Sequence, residues 1–432
     1  MIPTFLGATL LVFIILQMTP GGPLEKTIMQ LQMGGSQGSG EAGSLNSSSS
    51  SETGTLLPKR ALKELERFYG FDKPIWKRYL IWLGVFPREI KHRSISFQTG
   101  ENEKKKYMGK RKYAYVRKDG SKLEVFDKDG SLSSVWNARF DMDISNEEIK
   151  NFDQLKSIGK LPDINKLEAT IFETEFSGVL TGNLGKSYTY QQPVVDVMKP
   201  RFRVSILLGL TGFLISYLVC IPLGIKKALN HGSTFDILSS AIVFMAYSIP
   251  GWAFGGVLLV LFGGGSFWNI FPLGGLHSPQ EIWQNLTFFE KIIDQIHHMI
   301  LPVIAWTITS FATLTVLMKN SLLDNLSQDY IRTAFAKGLS EKRVIWVHAI
   351  RNSVIPIASG IGYVIAIIIS GSYFIEMIFN INGFGKMGYQ AILDRDYPIT
   401  MGFLVIVVLI RLIANLLSDL ALAAVDPRIR FK

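Results

Sequence analysis

The sequence predicts an all-α polytopic membrane protein, with six transmembrane helices and a small α+β insertion in the first external loop. Three observations lead to this fold class. The 432-residue chain is 48% hydrophobic with a mean hydropathy of +0.24, which is too apolar for an average soluble protein. Its charged residues concentrate in residues 24–200, whereas the remainder contains apolar stretches of about 20 residues, the length that crosses a bilayer. Basic residues outside that region fall in short loops beside the apolar stretches.

The six predicted spans are residues 2–18, 204–225, 237–262, 301–318, 357–378 and 402–425. Lys226 and Lys227 follow the second span, and a basic tail at residues 428–432 follows the last. Short loops rich in Lys and Arg stay on the cytoplasmic side, so both termini are predicted to be cytoplasmic. The first helix, within residues 1–23, has neither a basic leader nor a small-x-small cleavage site, which predicts an uncleaved helix.

Residues 24–200 are predicted to lie outside the membrane. Residues 24–58 are rich in Gly and Ser and cannot bury enough apolar surface to fold, which predicts a flexible external linker. Residues 59–83 predict two short external helices, and residues 84–178 predict the α+β insertion. Residues 179–432 then contain the other five spans.

The insertion shows the period-two pattern of β-strands. Asp-Gly turn signals at residues 119–120 and 129–130 separate three runs with alternating apolar residues. They predict a three-stranded meander over residues 112–138. A capping box at residues 145–148 begins a helix with one apolar face, which completes the predicted α+β fold.

A charged segment at residues 329–356 separates the fourth and fifth spans. It contains five Lys or Arg residues against two acidic residues, which places it on the cytoplasmic face. Residues 334–337 predict a helix that Gly338 ends in a left-handed conformation, and Ser340 is a candidate N-cap of a second helix. The prediction is a helix-turn-helix on the inner membrane surface. The alternative interpretation is a basic loop that only sets the topology.

Several function classes receive no support from the sequence. It contains no phosphate-binding loop of the Gly-x-x-x-x-Gly-Lys-Ser/Thr type and no pairing of a nucleophile with a base, so an enzyme acting alone is not predicted. His297 and His298 would point about 100° apart on a helix, a poor arrangement for one metal ion. The lone Cys220 excludes an intrachain disulfide. Topology and anionic lipid headgroups account for the net charge of +10, so nucleic acid is not an expected partner.

Three charged residues, Glu376, Arg411 and Asp419, lie within the predicted spans, where a charge must face protein or water. Glu376 fits either a translocation path or a helix end near external water. Asn415 and Asp419 lie four residues apart on one helical face, which is typical of hydrogen bonding between helices. Arg411 shares that face and could pair with Asp419.

Five stretches then point to one family: TPGGP at residues 19–23, GNLGKS at 182–187, RTAFAKG with LSEKRV and HAIRN at 332–352, FIEMIFNINGFGKMGYQAILDRDYP at 374–398, and NLLSDLALAAVDPRIR at 415–430. They resemble the permease subunits of ABC importers in the dipeptide and oligopeptide permease family. Gly22 stands where that family has Asp, and Asn382 where it has proline. The resemblance covers about residues 2–83 and 176–432, with the linker and the insertion as interruptions.

The resemblance implies that residues 329–356, here named the coupling segment, dock on a cytoplasmic ATPase. The implied contact residues are Asp329, Tyr330, Arg332, Thr333, Ala334, Gly338, Ser340, Arg343, His348 and Arg351. Ser370, Ser372 and Glu376 are the candidate residues of the translocation path.

By the same resemblance, the chain would be the transmembrane subunit of an ATP-driven importer of di- or oligopeptides, working by alternating access in a bacterial cell membrane. The implied partners are a second homologous permease, two cytoplasmic ATPases, an external substrate-binding lipoprotein and the lipid bilayer. ATP and Mg²⁺ would bind to the ATPases, and no cofactor is expected on this chain.

Two other function classes remain open. An ATP-independent channel or secondary transporter would show paired broken helices or a ring of intramembrane charge, and the sequence indicates neither. A membrane-anchored receptor would place its specificity in residues 84–178.

Overall fold

The computed structural model describes residues 1–22, 25, 70–98, 101–109, 112–119, 122–140, 166–265 and 267–425. The chain divides into two compact units, which we name after their main content. The β unit is Pro58–Leu184, and the helical unit is Met1–Leu57 with Gly185–Lys432.

The described helices are α1 Ile2–Met18, α2 Ile75–Leu83, α3 Val194–Leu229, α4 Thr234–Ser248, α5 Gly251–Phe262, α6 Gln280–Asn285, α7 Phe288–Leu326, α8 Asp329–Ala336, α9 Glu341–Arg343, α10 Ile350–Ser353, α11 Ile355–Ser359, α12 Ile361–Ser370, α13 Tyr373–Ile378, α14 Phe384–Leu393 and α15 Tyr397–Val425. The described strands are β1 Arg88–Gln98, β2 Glu103–Gly109, β3 Lys112–Asp119, β4 Lys122–Phe126, β5 Trp136–Phe140 and β6 Lys166–Glu175. A π-helical turn, Val344–Ala349, joins α9 to α10.

The β unit is built from two three-stranded antiparallel sheets with strand orders β1-β6-β5 and β2-β3-β4. Alternate residues of both sheets point inward, as the period-two geometry of strands requires. They form one buried apolar core, to which the first sheet contributes Ile95, Phe97, Ala169 and Ile171 and the second Met108, Ala114, Val116 and Val125. The described part of the insertion is therefore a small β-sandwich.

The predicted meander is correct for its first two strands, and its third run pairs with β4 only through one antiparallel bridge, between Leu132 and Phe126. β3 and β4 pair as a hairpin, but β5 begins only at Trp136 and pairs with β6 of the other sheet. The Ser133 hydroxyl accepts hydrogen bonds from the backbone N–H groups of Val135 and Trp136. Such local bonds compete with ladder pairing, and the chain crosses from the second sheet to the first at this point. The helix predicted after residues 145–148 lies outside the described residues, so the α+β class stays a prediction.

The strands that begin and end the sandwich, β1 and β6, pair along their length from Arg88 with Glu175 to Gln98 with Lys166. Just outside this pair, Gly84 and Gly178 are in backbone contact, since a Cβ atom on Gly178 would lie 2.4 Å from the Gly84 nitrogen. Only glycine fits at such a distance.

A half-buried ion-pair cluster joins Lys73, two residues before α2, to the first sheet. The Glu89 carboxylate accepts a hydrogen bond from Lys73 Nζ at 2.8 Å and lies 3.1 Å from Arg139 NH1. Burial of Glu89 raises its pKa, but the hydrogen bond from Lys73 and the charges of Arg139 and Lys73 outweigh that effect. The pKa of Glu89 therefore lies below its ordinary value.

The helical unit is organised around the contact of α3 with α7. The face of α3 that packs inward carries small residues at spacings of three or four, namely Ser205, Gly209, Gly212, Ser216, Cys220, Gly224 and Ala228. A Cβ atom on Gly212 would lie 2.5 Å from the Trp306 ring, and one on Gly224 would lie 2.7 Å from Met318. Small residues allow this approach, as is usual for helices that pack within membranes.

Two apolar cores lie along this helix pair. One surrounds Leu208, Leu301 and Phe379 and joins α3, α7 and α13. The other surrounds Ile225 and Met318 and includes residues of the coupling segment.

Among the described helices, two are long and apolar enough to cross a membrane, Val194–Leu229 and Tyr397–Ala424. The number rises to four if each of two bent pairs makes one crossing, α4 with α5 and Phe288–Ile308 with Ser310–Leu326. α1 is a shorter apolar helix. The chain is thus mostly helical with apolar helices that fit a polytopic membrane protein, and the six-span topology with cytoplasmic termini stays a prediction.

Two predicted spans are divided into separate helices in the structure. Residues 237–262, predicted as one span, form α4 and α5, which meet at 93° at Pro250. Pro250 has no backbone N–H and forces Ile249 into an extended conformation, so α4 ends at Ser248. The predicted helix over residues 357–378 is wrong as one continuous element, because Gly371 takes a left-handed conformation with φ +75° and separates α12 from α13.

The Glu89 cluster predicts a pH-dependent stability of the β unit. Because the folded-state pKa is below the unfolded value of about 4.3, Glu89 stabilises the fold above that pH. This contribution is lost as the pH falls through the folded-state pKa. Glu89→Gln should cost about 1–2 kcal/mol near neutral pH, which speeds hydrogen exchange of β1 and β5 by roughly 5- to 30-fold. Hydrogen exchange with mass spectrometry on the full chain measures the difference.

The matched control is Glu103→Gln, because the Glu103 side chain is 50% exposed in its ion pair with Arg117. Exposed pairs add little stability, so this variant should exchange like the wild type. The difference between Glu89→Gln and wild type should shrink as the pH is lowered from neutral through the folded-state pKa, which lies below about 4.3. A difference that stays constant down to full protonation of Glu89 would show that its charge is not the cause.

Candidate functional site

The coupling segment folds as two short helical pieces joined by a tight turn. α8 begins at Asp329, five residues before the predicted start, with Gln328 in the extended N-cap position. Asp329 in the first turn favours that start, since a negative charge interacts well with a helix N-terminus. Gly338 ends the turn with φ +75°, as predicted, and Ser340 is the N-cap residue of α9. The Ser340 side chain makes no capping hydrogen bond.

One face of the coupling segment is buried against the ends of α3 and α7. Ile331 and Ala334 of α8, with Val344 and Ala349 of the π-helical turn, are at most 7% exposed. They share a core with residues of both long helices. Ser353 adds a polar contact, because its hydroxyl and the Ser321 hydroxyl of α7 each donate to the other residue's backbone oxygen. The segment is therefore packed onto the helix pair on which the helical unit is built.

The opposite face carries most of the predicted contact residues. Those with exposed side chains or backbone are Asp329, Tyr330, Arg332, Thr333, Gly338, Ser340, Arg343 and Arg351. Ala334 is instead buried and packs inward, and His348 is half-buried. The Arg332 guanidinium lies 3.4 Å from the Asp329 carboxylate, and both side chains are more than three-quarters exposed. Such a pair is weak and leaves both groups available to a partner.

The structure adds three apolar residues to this face that the sequence analysis missed. Phe335 is 46%, Trp346 57% and Val347 51% exposed. Phe335 and Tyr330 accompany Arg332 on α8, which gives the exposed surface aromatic and basic character. The sequence signal for this surface is the helical spacing within DYIRTAFA. Ile331 and Ala334, three residues apart, form the inward stripe, and the other positions point outward.

A buried carboxylate close to Lys226 and Lys227 ties three helices together. Lys319 Nζ of α7 donates to both Asp236 carboxylate oxygens at 2.7 Å, and Lys227 Nζ of α3 lies 3.3 Å from Oδ1. Lys227 also donates to the hydroxyls of Ser239 and Ser240 on α4. A buried charge needs such partners, so the cluster holds α3, α4 and α7 in one arrangement.

Glu376 is fully buried and accepts hydrogen bonds at both carboxylate oxygens. Oε1 accepts from Ser205 Oγ at 2.6 Å and from Ser372 N at 3.3 Å, and Oε2 accepts from Lys386 N at 2.6 Å. Gly383 packs directly on the carboxyl group, with space for no side chain. Glu376 lies in the first turn of α13, which agrees with the predicted helix-end position, but its side chain is 0% exposed and does not contact water.

The other two candidate path residues flank the break at Gly371. Ser370 is the last residue of α12, and Ser372 precedes α13 and contributes its backbone N–H to Glu376. The structure thus brings Ser372 and Glu376 together around a packed turn. Their assignment to a translocation path stays a prediction.

A second buried carboxylate joins two of the family-like stretches. Asp396 of DRDYP accepts a hydrogen bond from the Ser187 hydroxyl of GNLGKS at 2.5 Å and from Thr189 N at 3.0 Å. The Ser187 oxygen in turn accepts from Tyr190 N. Residues some 200 positions apart thereby form one polar contact, which the sequence analysis did not foresee.

Arg411, Asn415 and Asp419 are all exposed on α15. In the part of the chain that the structure describes, Arg411 and Asp419 form no ion pair with each other or with another residue. The pairing considered from their spacing is not present within this chain. The described residues also contain no group of three His, Cys, Asp or Glu side chains that could hold a metal ion.

The interruptions at Pro250 and Gly371 change one argument about function class. The sequence indicated no broken helices, yet two predicted spans are broken. Whether the helices are continuous therefore does not distinguish an ABC permease from a secondary transporter. Sequence comparison has to make that distinction.

Residues 220–431 match the family described as binding-protein-dependent transport system inner membrane component. The peptidoglycan transport system permease protein YejB of Agrobacterium fabrum is 33% identical over 445 residues, covering 100% of this chain and 96% of that protein. The inner membrane ABC transporter permease protein YejB of Escherichia coli O157:H7 is 44% identical over 251 residues, 58% of this chain and 68% of that protein.

The dipeptide transport system permease protein DppB of Escherichia coli K12 is 35% identical over 269 residues, 59% of this chain and 79% of that protein. Together with the full-length similarity to the Agrobacterium protein, this match agrees with the motifs at the coupling segment and around Glu376 and Asp396. The chain therefore belongs to the family of binding-protein-dependent transport system inner membrane components, as a permease subunit of the peptide ABC transporter type.

Proposed function

We propose that this chain is the transmembrane subunit of an ATP-driven importer that moves peptides from an external binding protein into the cytoplasm. The observation that carries the proposal is the two-sided coupling segment. Its outward face offers Tyr330, Arg332 and Phe335, and its inward face is packed into the core of the α3 and α7 pair.

This arrangement can transmit the motion of a bound partner to α3 and α7. A partner that moves the outward face must also move Ile331 and Val344, which share one buried core with Ile225, Met318 and Leu322. Packed interfaces switch between discrete arrangements rather than deforming smoothly. Nucleotide-driven motion of an ATPase would thus reach α3 and α7 as a rigid-body shift, which is the basis of alternating access.

The partners follow from the family. We expect a second homologous permease, two cytoplasmic ATPases that bind ATP and Mg²⁺, and an external substrate-binding lipoprotein. Residues 24–200 would lie on the external side of a bacterial cell membrane. Peptides are the proposed cargo because of the similarity to the dipeptide permease DppB. The full-length similarity to a peptidoglycan transport permease makes peptides attached to peptidoglycan fragments a second candidate cargo.

The turn at Gly338 provides the first test. A Cβ atom there would meet nothing within 4 Å, so a larger side chain disturbs the turn only through its backbone conformation. A β-branched residue at φ +75° is strained by about 1–2 kcal/mol or more, enough to weaken ATPase docking by roughly tenfold. Gly338→Val should therefore lose ATP-driven peptide uptake while inserting normally in the membrane.

The measurement is uptake and ATP hydrolysis by the complex in proteoliposomes, after mass spectrometry has identified the co-purified ATPases. Gly338→Asn should keep most of the uptake, since Asn tolerates the left-handed region. Gly130→Val imposes the same strain at φ +75° in a β-unit turn and should leave coupling intact. Normal uptake by Gly338→Val, or a complex without ATPase subunits, would overturn the proposed function.

Glu376 provides a second test, which separates a structural role from a place in the path. Glu376→Gln replaces one carboxylate oxygen by an NH₂ group that faces a donor, from either Ser205 or the Lys386 backbone. An unsatisfied buried donor costs about 1–3 kcal/mol, so the melting temperature should fall and uptake should fall with the amount of folded protein.

The melting temperature is measured by tryptophan fluorescence of the purified complex. Glu281→Gln makes the same chemical change at an exposed position of α6 and should melt like the wild type. If Glu376→Gln melts normally but transports poorly, Glu376 belongs to the path and not to the packed turn.

A further inference from the structure

The second half of α15 carries Arg411, Asn415 and Asp419 at four-residue spacing, and all three are exposed. Arg411 is the central residue of this 29-residue helix, so it lies about 21 Å from either end. A guanidinium at that depth cannot face lipid hydrocarbon and must face protein or water. The described part of this chain supplies it with no ion-pair partner.

The surface of α15 around this stripe has three distinct sectors. At about 100° per residue, the three polar residues lie within roughly 80° of one another. Exposed apolar side chains occupy a second sector roughly 100–160° away, with Ile413 56%, Leu416 48% and Leu420 50% exposed. A third sector packs inside the unit, where Ala414 is buried and the Ser418 hydroxyl donates to the Ser359 oxygen.

These sectors indicate different surroundings. The apolar sector suits lipid or an apolar protein surface, whereas the polar sector does not. A second copy of α15 related by an axis along the membrane normal would bring like charges together at equal depth, which is unfavourable. A water-filled path beside the polar sector would hydrate these charges and would not bring like charges together.

The stripe has opposite charges at its two ends. Eight residues of helix separate Arg411 from Asp419, a distance of about 12 Å along the axis. The Arg411 guanidinium can pair with the carboxylate of a peptide, and the Asp419 carboxylate can pair with the ammonium group of a peptide. An extended peptide covers about 3.3–3.6 Å per residue, so the terminal charges of a peptide of three or four residues match this separation. Asn415, between them, can both donate to and accept from a peptide backbone.

We propose that Arg411, Asn415 and Asp419 border the aqueous path and bind a zwitterionic peptide of three or four residues. The peptide carboxylate pairs with Arg411 and its ammonium group with Asp419. The peptide cargo in this inference rests on the proposed transport function, and the experiment below tests the two separately.

The lone cysteine makes the test direct. Cys220 is 0% exposed and is removed as Cys220→Ala. Single cysteines are then placed in the polar sector by Arg411→Cys, Asn415→Cys and Asp419→Cys. The matched controls in the apolar sector are Ile413→Cys, Leu416→Cys and Leu420→Cys. The whole complex in membranes is treated with a charged, water-soluble thiol reagent, and labelling is followed by mass spectrometry.

Polar-sector cysteines should label about tenfold faster or more than the apolar controls, since only that sector meets water. Trialanine should slow labelling at Asn415→Cys, the polar-sector variant that keeps both charges, and should not slow labelling of the apolar controls. Equal rates in both sectors, or no labelling at the polar positions because another subunit covers them, would overturn the proposal. Uptake by the Cys220→Ala parent is measured in parallel. If trialanine slows labelling but the parent shows no peptide uptake, the transport function alone is overturned. If the parent takes up peptide but the polar-sector cysteines are not labelled, this site alone is overturned.

A second measurement tests the charges themselves. With Asn415→Cys as the reporter, trialanine should protect about tenfold better than its C-terminal amide, because the amide loses a charged hydrogen bond. Arg411→Gln should abolish the preference for a free C-terminus and keep the preference for a free over an acetylated N-terminus. Asp419→Asn should abolish the preference for a free N-terminus and keep the preference for a free C-terminus. If neither variant changes either preference, the stripe does not bind peptide termini.

Discussion

Helices α3 and α7 approach closely because the facing side of α3 carries glycine, serine, cysteine and alanine in place of large side chains. The Trp306 ring and Met318 occupy the space left at Gly212 and Gly224. Two apolar cores of the helical unit and the packing of the coupling segment are built on this contact. Enlarging either glycine would separate the two helices and disturb all three regions at once.

Buried carboxylates add the specificity that apolar packing in a membrane does not supply. Asp236, Glu376 and Asp396 are each at most 4% exposed, and each joins segments that are distant in the sequence. All of their recorded partners are hydrogen-bond donors or cations, as burial of a charge requires. An alternative arrangement of the helices would leave these charges unsatisfied, so the three contacts exclude misregistered packings that apolar side chains alone would tolerate.

Much of the helical unit could be predicted from local sequence signals. The left-handed turn at Gly338 and the N-cap position of Ser340 follow from residue chemistry that needs no tertiary context. The family resemblance was visible in motifs and is confirmed by comparison. The break at Gly371 could not be predicted, because a single glycine in an apolar run is compatible with a helix. Only the distant partners of Glu376, which are Ser205 and the backbone at Lys386, explain why the chain turns there.

The β unit illustrates the same limit. Period two identified β3 and β4, whereas β1 contains a register shift between Ile90 and Arg93 that obscures the alternation. The pairing of β5 with β6 depends on residues 29 to 37 positions apart, which local patterns do not encode.

The contact between Gly84 and Gly178 also bears on how such a chain could have arisen. The sandwich begins and ends at neighbouring points, and its first and last strands are paired side by side. A segment with touching ends can be gained or lost in a single genetic step without rethreading the remainder of the fold. Touching ends and paired terminal strands are the geometry expected of a module inserted into an existing chain.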